Sequence, residues 1–274
     1  MQAYFDLVNA SAPHQITIEN CHFNTTYPRW VDRPGGELAC PMNLFRVSDD
    51  IKANWAAVLR NVHATIPFAN AVHPMSGPGC WACELHLLPP ALSCSSLLTW
   101  RWVCGTDPDM LEVGVTGQNG RSEGGLTAHE ERAHFGLWAV VSSPLTLSFD
   151  LGNSTIMDRS WPIITNTDVL AVNQGFFGHP GTLLDQDKDS AGGAWQVWAK
   201  PQGDGAMAVL LVNTGGAAAD LSLALSNYAS TAGAGATVRD LWAQKTVGPR
   251  KGTMRFPAVA SHDSVFLLLT PAVQ

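Results

Sequence analysis

Apolar residues recur at helical spacing in two separate stretches of the first two-thirds of the chain. From Asp50 to His63, the residues Ile51, Trp55, Val58, Leu59 and Val62 share one face, which predicts an amphipathic helix. Thr127 to Val141 repeats the pattern through Ala128, Arg132, Phe135, Trp138 and Ala139. Thr127 is the expected cap there, with Glu130 three residues on as its capping-box partner. Gln15 to Cys21 is a β-branched run between Pro13 and the loop around Pro28, hence a strand, and Ser143 to Leu147 reads as another. Strands alternating with helices predict an α/β fold with a parallel sheet. A complete (β/α)8 barrel takes roughly 250 residues, so residues 1–183 supply about half of one.

After Gly181 the pattern changes to short strands between Gly and Ala clusters. Trp195–Trp198, Met207–Val212, Ala236–Trp242 and Ser264–Leu269 each carry the apolar run of a strand in an antiparallel β-sandwich. The expected organisation is therefore a partial barrel over 1–183 followed by a sandwich domain over 184–274.

Composition narrows the classes. With 46% hydrophobic residues and ten tryptophans the chain can bury a large core, which excludes a disordered segment. A net charge of -7 without a Lys/Arg cluster argues against nucleic acid or an anionic membrane as partner and suits a neutral substrate. The most apolar stretch, Cys83 to Cys104, contains Glu84, His86, Pro89, Pro90 and Arg101, so no membrane-spanning helix is expected. Residues 1–8 lack the basic and small-residue features of a secretory signal, yet sequons stand at Asn9, Asn24 and Asn153, as in a glycoprotein. Cys80 and Cys83 with Cys94 and Cys104 have irregular spacing for zinc, and no metal or other cofactor is expected.

Four blocks carry chemistry: Phe45-Arg46-Val47-Ser48-Asp49-Asp50-Ile51, Gly77-Pro78-Gly79-Cys80-Trp81, Asp107-Pro108-Asp109-Met110-Leu111-Glu112-Val113-Gly114 and His134-Phe135-Gly136-Leu137-Trp138-Ala139. Ser48-Asp49-Asp50 on its own suits a helix N-terminus, with Asp49 as the cap. Together and in this order the blocks resemble the second half of the barrel of the α-galactosidase (melibiase) family, glycoside hydrolase family 27. Val238–Trp242, His262 and Leu267–Pro271 extend the resemblance into that family's C-terminal β-domain.

The resemblance implies a retaining α-galactosidase that removes terminal α-galactosyl residues from oligosaccharides or glycoconjugates. Such chemistry needs two carboxyl groups, one as nucleophile and one as general acid and then base. Arg46 and Asp50-Ile51 match the family's acid/base spacing, making Asp50 the acid/base and Arg46 a donor to ring hydroxyls. Trp81, Asp109 and Met110 fall where the family lines its sugar pocket, and Asp109 is either a structural bridge or a direct sugar contact. His22 stands where many members have a Glu, which leaves galactose and N-acetylgalactosamine both open as ligand. Cys21 and Cys40 match a disulfide common in animal members, which suits a secreted, lysosomal or vacuolar enzyme, and the complete protein could form a homodimer.

Two departures matter. The family's nucleophile lies in a Lys-Tyr-Asp-type run at the fourth strand, and no such run occurs in the sequence, so the chain as written is expected to be an inactive fragment. Cys83 to Thr106 separates two blocks that are nearly contiguous in the family. A translated intron is the economical reading of this insert, with a lid over the sugar site as the alternative. An α-N-acetylgalactosaminidase and a non-catalytic carbohydrate-binding remnant are the rival functions.

Overall fold

The computed structural model describes residues 19–20, 31–33, 37–39, 44–69, 105–116, 125–187, 194–228 and 235–272. Its first layer is a parallel sheet of β1 (Glu19–Asn20), β4 (Leu44–Arg46) and β5 (Gly105–Asp107), in that order. Register runs straight across it, with Glu19 beside Leu44 and Leu44 beside Gly105, and ends on Arg46 beside Asp107. Between β1 and β4 in sequence, β2 (Val31–Arg33) and β3 (Glu37–Ala39) pair antiparallel as a separate ribbon. The strand expected at Ser143–Leu147 reduces to one parallel bridge, Leu147 with Leu111. The Leu111 amide donates to the Thr146 carbonyl, and the Ser148 hydroxyl donates to the carbonyl of Leu111 beside this bridge.

Helix α1 (Trp55–His63) starts later than its apolar pattern suggests. Its cap is Asn54, whose side chain accepts from the amide of Ala57, and not Asp49. The cause lies in residues 49–51, whose backbone is engaged elsewhere. The Ile51 amide donates to Asp109, and the carbonyls of Asp49 and Asp50 accept from Asn61 and Arg60. A short helix, α2 (Ile66–Ala69), follows.

Helix α3 (Ala128–Val140) has the capping box expected from sequence, with Thr127 and Glu130 bonded reciprocally. All residues from Ala133 to Val140 are buried, so this part of the helix has cover on every side, while the first turn, Ala128 and His129, is exposed. Two of its polar residues are buried with partners from the 111–116 segment. Glu131 accepts from the Gly114 amide and from Arg159, and the ring nitrogen Nε2 of His134 accepts from the Glu112 amide. Burial drives the His134 imidazole down to about 3, so it stays neutral and Nε2 remains an acceptor. Helices α4 (Ser154–Ile164) and α5 (Thr167–Gln174), which have no counterpart in the expectations from sequence, pack against α3.

The C-terminal part is an antiparallel sandwich, as the alternating pattern predicts. Its main sheet has the order β11-β10-β13-β8-β7-β6, built from β6 (Thr182–Gln186), β7 (Trp195–Pro201), β8 (Met207–Asn213), β10 (Ala236–Asp240), β11 (Lys245–Arg250) and β13 (Ser264–Pro271). The second layer is β9 (Ala219–Ala224) paired with β12 (Thr253–Val259). Strand side chains alternate faces. Val197, Ala199, Val209, Leu211, Leu267 and Leu269 therefore pack on Leu221, Leu223 and Val259 of the second layer. The opposite row, Trp198, Ala208, Leu210, Val212 and Phe266, packs on Val58, Phe135, Trp138 and Val169 of the helices. One apolar cluster thus spans the barrel part and the sandwich.

Strand β6 starts at Thr182 and crosses the 183/184 division read from sequence. Just before it, the Gly181 amide donates to the carbonyl of Val140 at 2.9 Å. A Cβ at Gly181 would stand 2.2 Å from that carbonyl oxygen, so only glycine allows the sheet to leave α3 here. Polar ties also cross the junction: Arg239 pairs with Asp168 at 2.7 Å, Arg132 with Asp263, and His262 with Glu130 at 2.7 Å.

Candidate active site

The C-terminal ends of β4 and β5 bring together Arg46, Asp50, Asp109 and Met110. Arg46 is the last residue of β4, and its Nη2 donates to Asp50 Oδ1 at 2.6 Å and to Asp109 Oδ2 at 2.7 Å. Asp109 Oδ2 also accepts from the Ile51 amide at 2.8 Å, while Oδ1 accepts from the Met110 amide at 2.9 Å. Both oxygens of Asp109 are therefore engaged by the protein. The carboxylate bridges the two loops that follow β4 and β5.

Asp109 sits at φ 86, in the left-handed region that a non-glycine residue rarely adopts. Three bonds hold it there. Its amide donates to Asp107 Oδ1, its carbonyl accepts from the Trp138 indole at 2.7 Å, and its side chain is fixed as described. Trp138 is fully buried in α3, so the turn is anchored to the most buried helix among the described residues.

In contrast to Asp109, the side chain of Asp50 is 84% exposed, and Met110 is 41% exposed beside it. One guanidinium thus holds a buried, saturated carboxylate on one side and an open carboxylate on the other. An open carboxylate at the end of a parallel strand, oriented by a neighbouring cation, can exchange a proton with a bound group.

A second acidic pair lies just behind. Asp107 is buried, and its carboxyl is pushed up to about 8, first by that burial and then by the neighbouring carboxyl of Glu19. Glu19 and Asp107 fall on the same face of the parallel sheet as Arg46, through the Glu19–Leu44–Gly105 and Arg46–Asp107 register. Asp107 therefore keeps its proton at neutral pH, behind the outward-facing Asp50.

The last two residues of the insert read at 83–106 have a place in the sheet. Gly105 and Thr106 belong to β5 and pair with Leu44 and Phe45, so they are part of the barrel sheet. Of the other residues expected in the site, His22, Trp81, Cys21 and Cys40 lie outside the described residues. Asn61, Arg60, Asp107 and Trp138 were not singled out as site residues by sequence reasoning. Asn61 left a signal, being a polar residue in register with the apolar face of Trp55, Val58 and Val62. Among the described residues no group of three or more His, Cys, Asp or Glu is placed to hold a metal ion. No helix among them is long and apolar enough to cross a membrane.

Comparison with known proteins bears on the fold and the family. A family model described as the α-galactosidase C-terminal β-sandwich domain matches residues 192–269. A Dictyostelium discoideum protein named as a probable alpha-galactosidase is 30% identical over 230 residues, 84% of this chain and 49% of that protein. An α-galactosidase of Oryza sativa subsp. japonica is 27% identical over 274 residues, 99% of this chain and 53% of that protein. The chain thus spans about half the length of the curated relatives it matches. Among solved structures, a family 27 β-L-arabinopyranosidase of Geobacillus stearothermophilus superposes with a TM-score of 0.63 at 22% identity, covering 85% of this chain and 46% of that one, which is a likeness of fold. With the parallel half-sheet, the sandwich that follows it and these relatives in agreement, the chain belongs to the α-galactosidase (melibiase) family of glycoside hydrolases, family 27, of which it carries the C-terminal portion.

Proposed function

We propose that the chain is the portion of a retaining α-galactosidase that supplies the general acid/base, Asp50, and part of the sugar pocket, and that it is inactive by itself. The observation that carries this reading is the shared guanidinium of Arg46, which holds exposed Asp50 at 2.6 Å while buried Asp109 fixes its other side. In the first step Asp50 gives its proton to the glycosidic oxygen as the bond to the leaving group breaks. In the second it takes a proton from water, which attacks the sugar carbon and releases the covalent intermediate. The nucleophile of that intermediate is a second carboxylate, and the family draws it from an earlier strand.

Arg46 carries a guanidinium charge that orients Asp50, and its place in the family motif makes it a donor to ring hydroxyls. Asp109 acts through Arg46 and Ile51, while half-exposed Met110 offers an apolar surface to a sugar ring. The substrate class is a terminal α-galactosyl group, supported by the names of the relatives in the curated comparison. A preference for N-acetylgalactosamine is the second reading, motivated by His22 in place of a Glu. A secreted, lysosomal or vacuolar location is supported by the sequons and by the Cys21 and Cys40 match.

The test uses protein expressed from its complete transcript, assayed on aryl α-galactoside and aryl N-acetyl-α-galactosaminide, with the first-formed anomer read by proton NMR. Hydrolysis with the α-anomer appearing first is expected. In kcat/KM, which reports the first step, the Asp50→Asn variant should lose about 10²-fold or more on an alkyl galactoside and much less on an activated aryl one, because only the former needs a proton donor there. Absence of hydrolysis of both aryl substrates, or equal loss of Asp50→Asn on alkyl and aryl galactosides, would refute the assignment.

A further inference from the structure

Helix α1 carries an asparagine in its core face. Asn61 is 0% exposed and sits between Val58 and Val62, which are equally buried. A polar amide in such a position costs stability unless its bonds are made, and a leucine or isoleucine would fill the space without that requirement. Asn61 makes them all with residues of the site. Its Nδ2 donates to the carbonyl of Asp49 and to the carbonyl of Pro108, each at 2.9 Å, and its Oδ1 accepts from Arg60 Nε at 3.1 Å. Both partners of the nitrogen are acceptors, which fixes the orientation of the amide. The next residue back adds a third tie, since Arg60 Nη2 donates to the carbonyl of Asp50 at 3.0 Å.

These carbonyls belong to the loops that carry Asp50 and Asp109. Arg46 Nη2 reaches both carboxylates only while the loops keep their spacing, at 2.6 Å and 2.7 Å. The Asp109 side chain ties the loops through the Ile51 amide, and the Asn61 side chain ties them through the carbonyls of Asp49 and Pro108. Two separate braces thus hold the backbone on either side of Asp50 in sequence. We propose that Asn61, assisted by Arg60, is a positioning residue that fixes the direction in which Asp50 presents its carboxyl to the glycosidic oxygen. The proposal rests on the acid/base role given to Asp50 above.

The experiment compares Asn61→Leu, Asn61→Asp and Arg60→Met in protein expressed from its complete transcript, with Asp50→Asn as the reference. Asn61→Leu keeps the volume and removes the ties, and Asn61→Asp turns an acceptor toward both carbonyls. Arg60 is exposed, so Arg60→Met removes the tie to the Asp50 carbonyl and the bond to Asn61 Oδ1 while leaving both Nδ2 ties in place, and it covers the case in which the Asn61 variants fail to fold. A displacement of about 1 Å at a reacting group costs on the order of 10²-fold in rate. The Asn61 variants should therefore lower kcat/KM on an alkyl α-galactoside by roughly that factor, with less than about threefold loss of kcat/KM on a nitrophenyl α-galactoside, which needs no proton donor in the first step. Arg60→Met should show the same asymmetry at about five- to tenfold. Loss shared equally by the two substrates marks a structural role and overturns the proposal, as does an unchanged ratio between them. Asymmetry in Asp50→Asn without asymmetry in the Asn61 and Arg60 variants overturns positioning alone. Its absence in Asp50→Asn overturns the acid/base reading and this role with it.

Discussion

Lys200 offers a test of the junction between sandwich and helices that does not involve activity. It lies on β7 in the row that faces the helices and is fully buried. Its ammonium donates to the carbonyls of Val172 and Asn173, at the C-terminal end of α5. Those carbonyls favour the charge, while burial works against it and brings the amine down to about 7 from 10.5. Because the native pKa is below the unfolded one, the unfolded chain binds more protons between pH 7 and 10.5. Stability should therefore rise with pH across that window. Below pH 7 both states are charged and the full cost of burying the ammonium is present. Between pH 6 and 9 the native amine loses about two pH units' worth of that cost, or roughly 2.5 kcal/mol at about 1.4 kcal/mol per unit. Lys200→Met removes the titration and keeps an unbranched chain in the space. Urea unfolding of both proteins at pH 6, 7, 8 and 9 should show the wild type gaining on the variant by that amount. A difference that stays flat over this range would refute the argument, and would mean that the helix carbonyls keep the amine charged throughout.

Asp107 titrates with the opposite sign. Its carboxyl is raised to about 8 in the native state, so stability should fall as pH rises from about 4 to 8, on the order of 1 kcal/mol per unit. Asp107→Asn keeps the acceptor for the Asp109 amide, and its urea midpoint should gain on wild type between pH 5 and 7.5. Gly181→Ala should cost about 3 kcal/mol, because its Cβ would meet the Val140 carbonyl oxygen at 2.2 Å. A variant within 0.5 kcal/mol of wild type in the same assay, to take roughly the scale of a surface substitution, would contradict that packing.

Elements with one clean period were legible before any coordinates. The capping box of Thr127 and Glu130 and the alternating strands at Trp195, Met207, Ala236 and Ser264 all form where the pattern puts them. The start of α1 was misplaced because Asp49 looks like a cap by residue type, while Asn54 takes the role once Asp109 has claimed the Ile51 amide from a distant segment. A side-chain bond between residues 58 positions apart leaves no local trace. Strands β9, β11 and β12 were overlooked for another reason. β11 is mostly exposed and carries no apolar alternation, while in β9 and β12 the alternation is short, Leu221 with Leu223 and Met254 with Phe256, between polar and small residues. In the site, Arg46, Asp50, Asp109 and Met110 were found as motifs, but the bonds that make Asp109 a brace follow only from the meeting of two loops.

The apolar cluster that runs from α1 and α3 into β7, β8 and β13 bears on how such enzymes can change over generations. A sandwich joined by a linker could be exchanged for another by recombination, since each side would already be complete. Here Trp138 and Trp198 are filled in by one another's neighbourhoods, and a cut near residue 190 would leave each half with an open apolar face. Replacement of one half with a foreign counterpart would meet mismatched side chains across the whole contact. Substitutions on the inner face of α3 and on the helix-facing row of β7, β8 and β13 should consequently be inherited as compensating sets, and chimeras should work best when both surfaces come from the same parent.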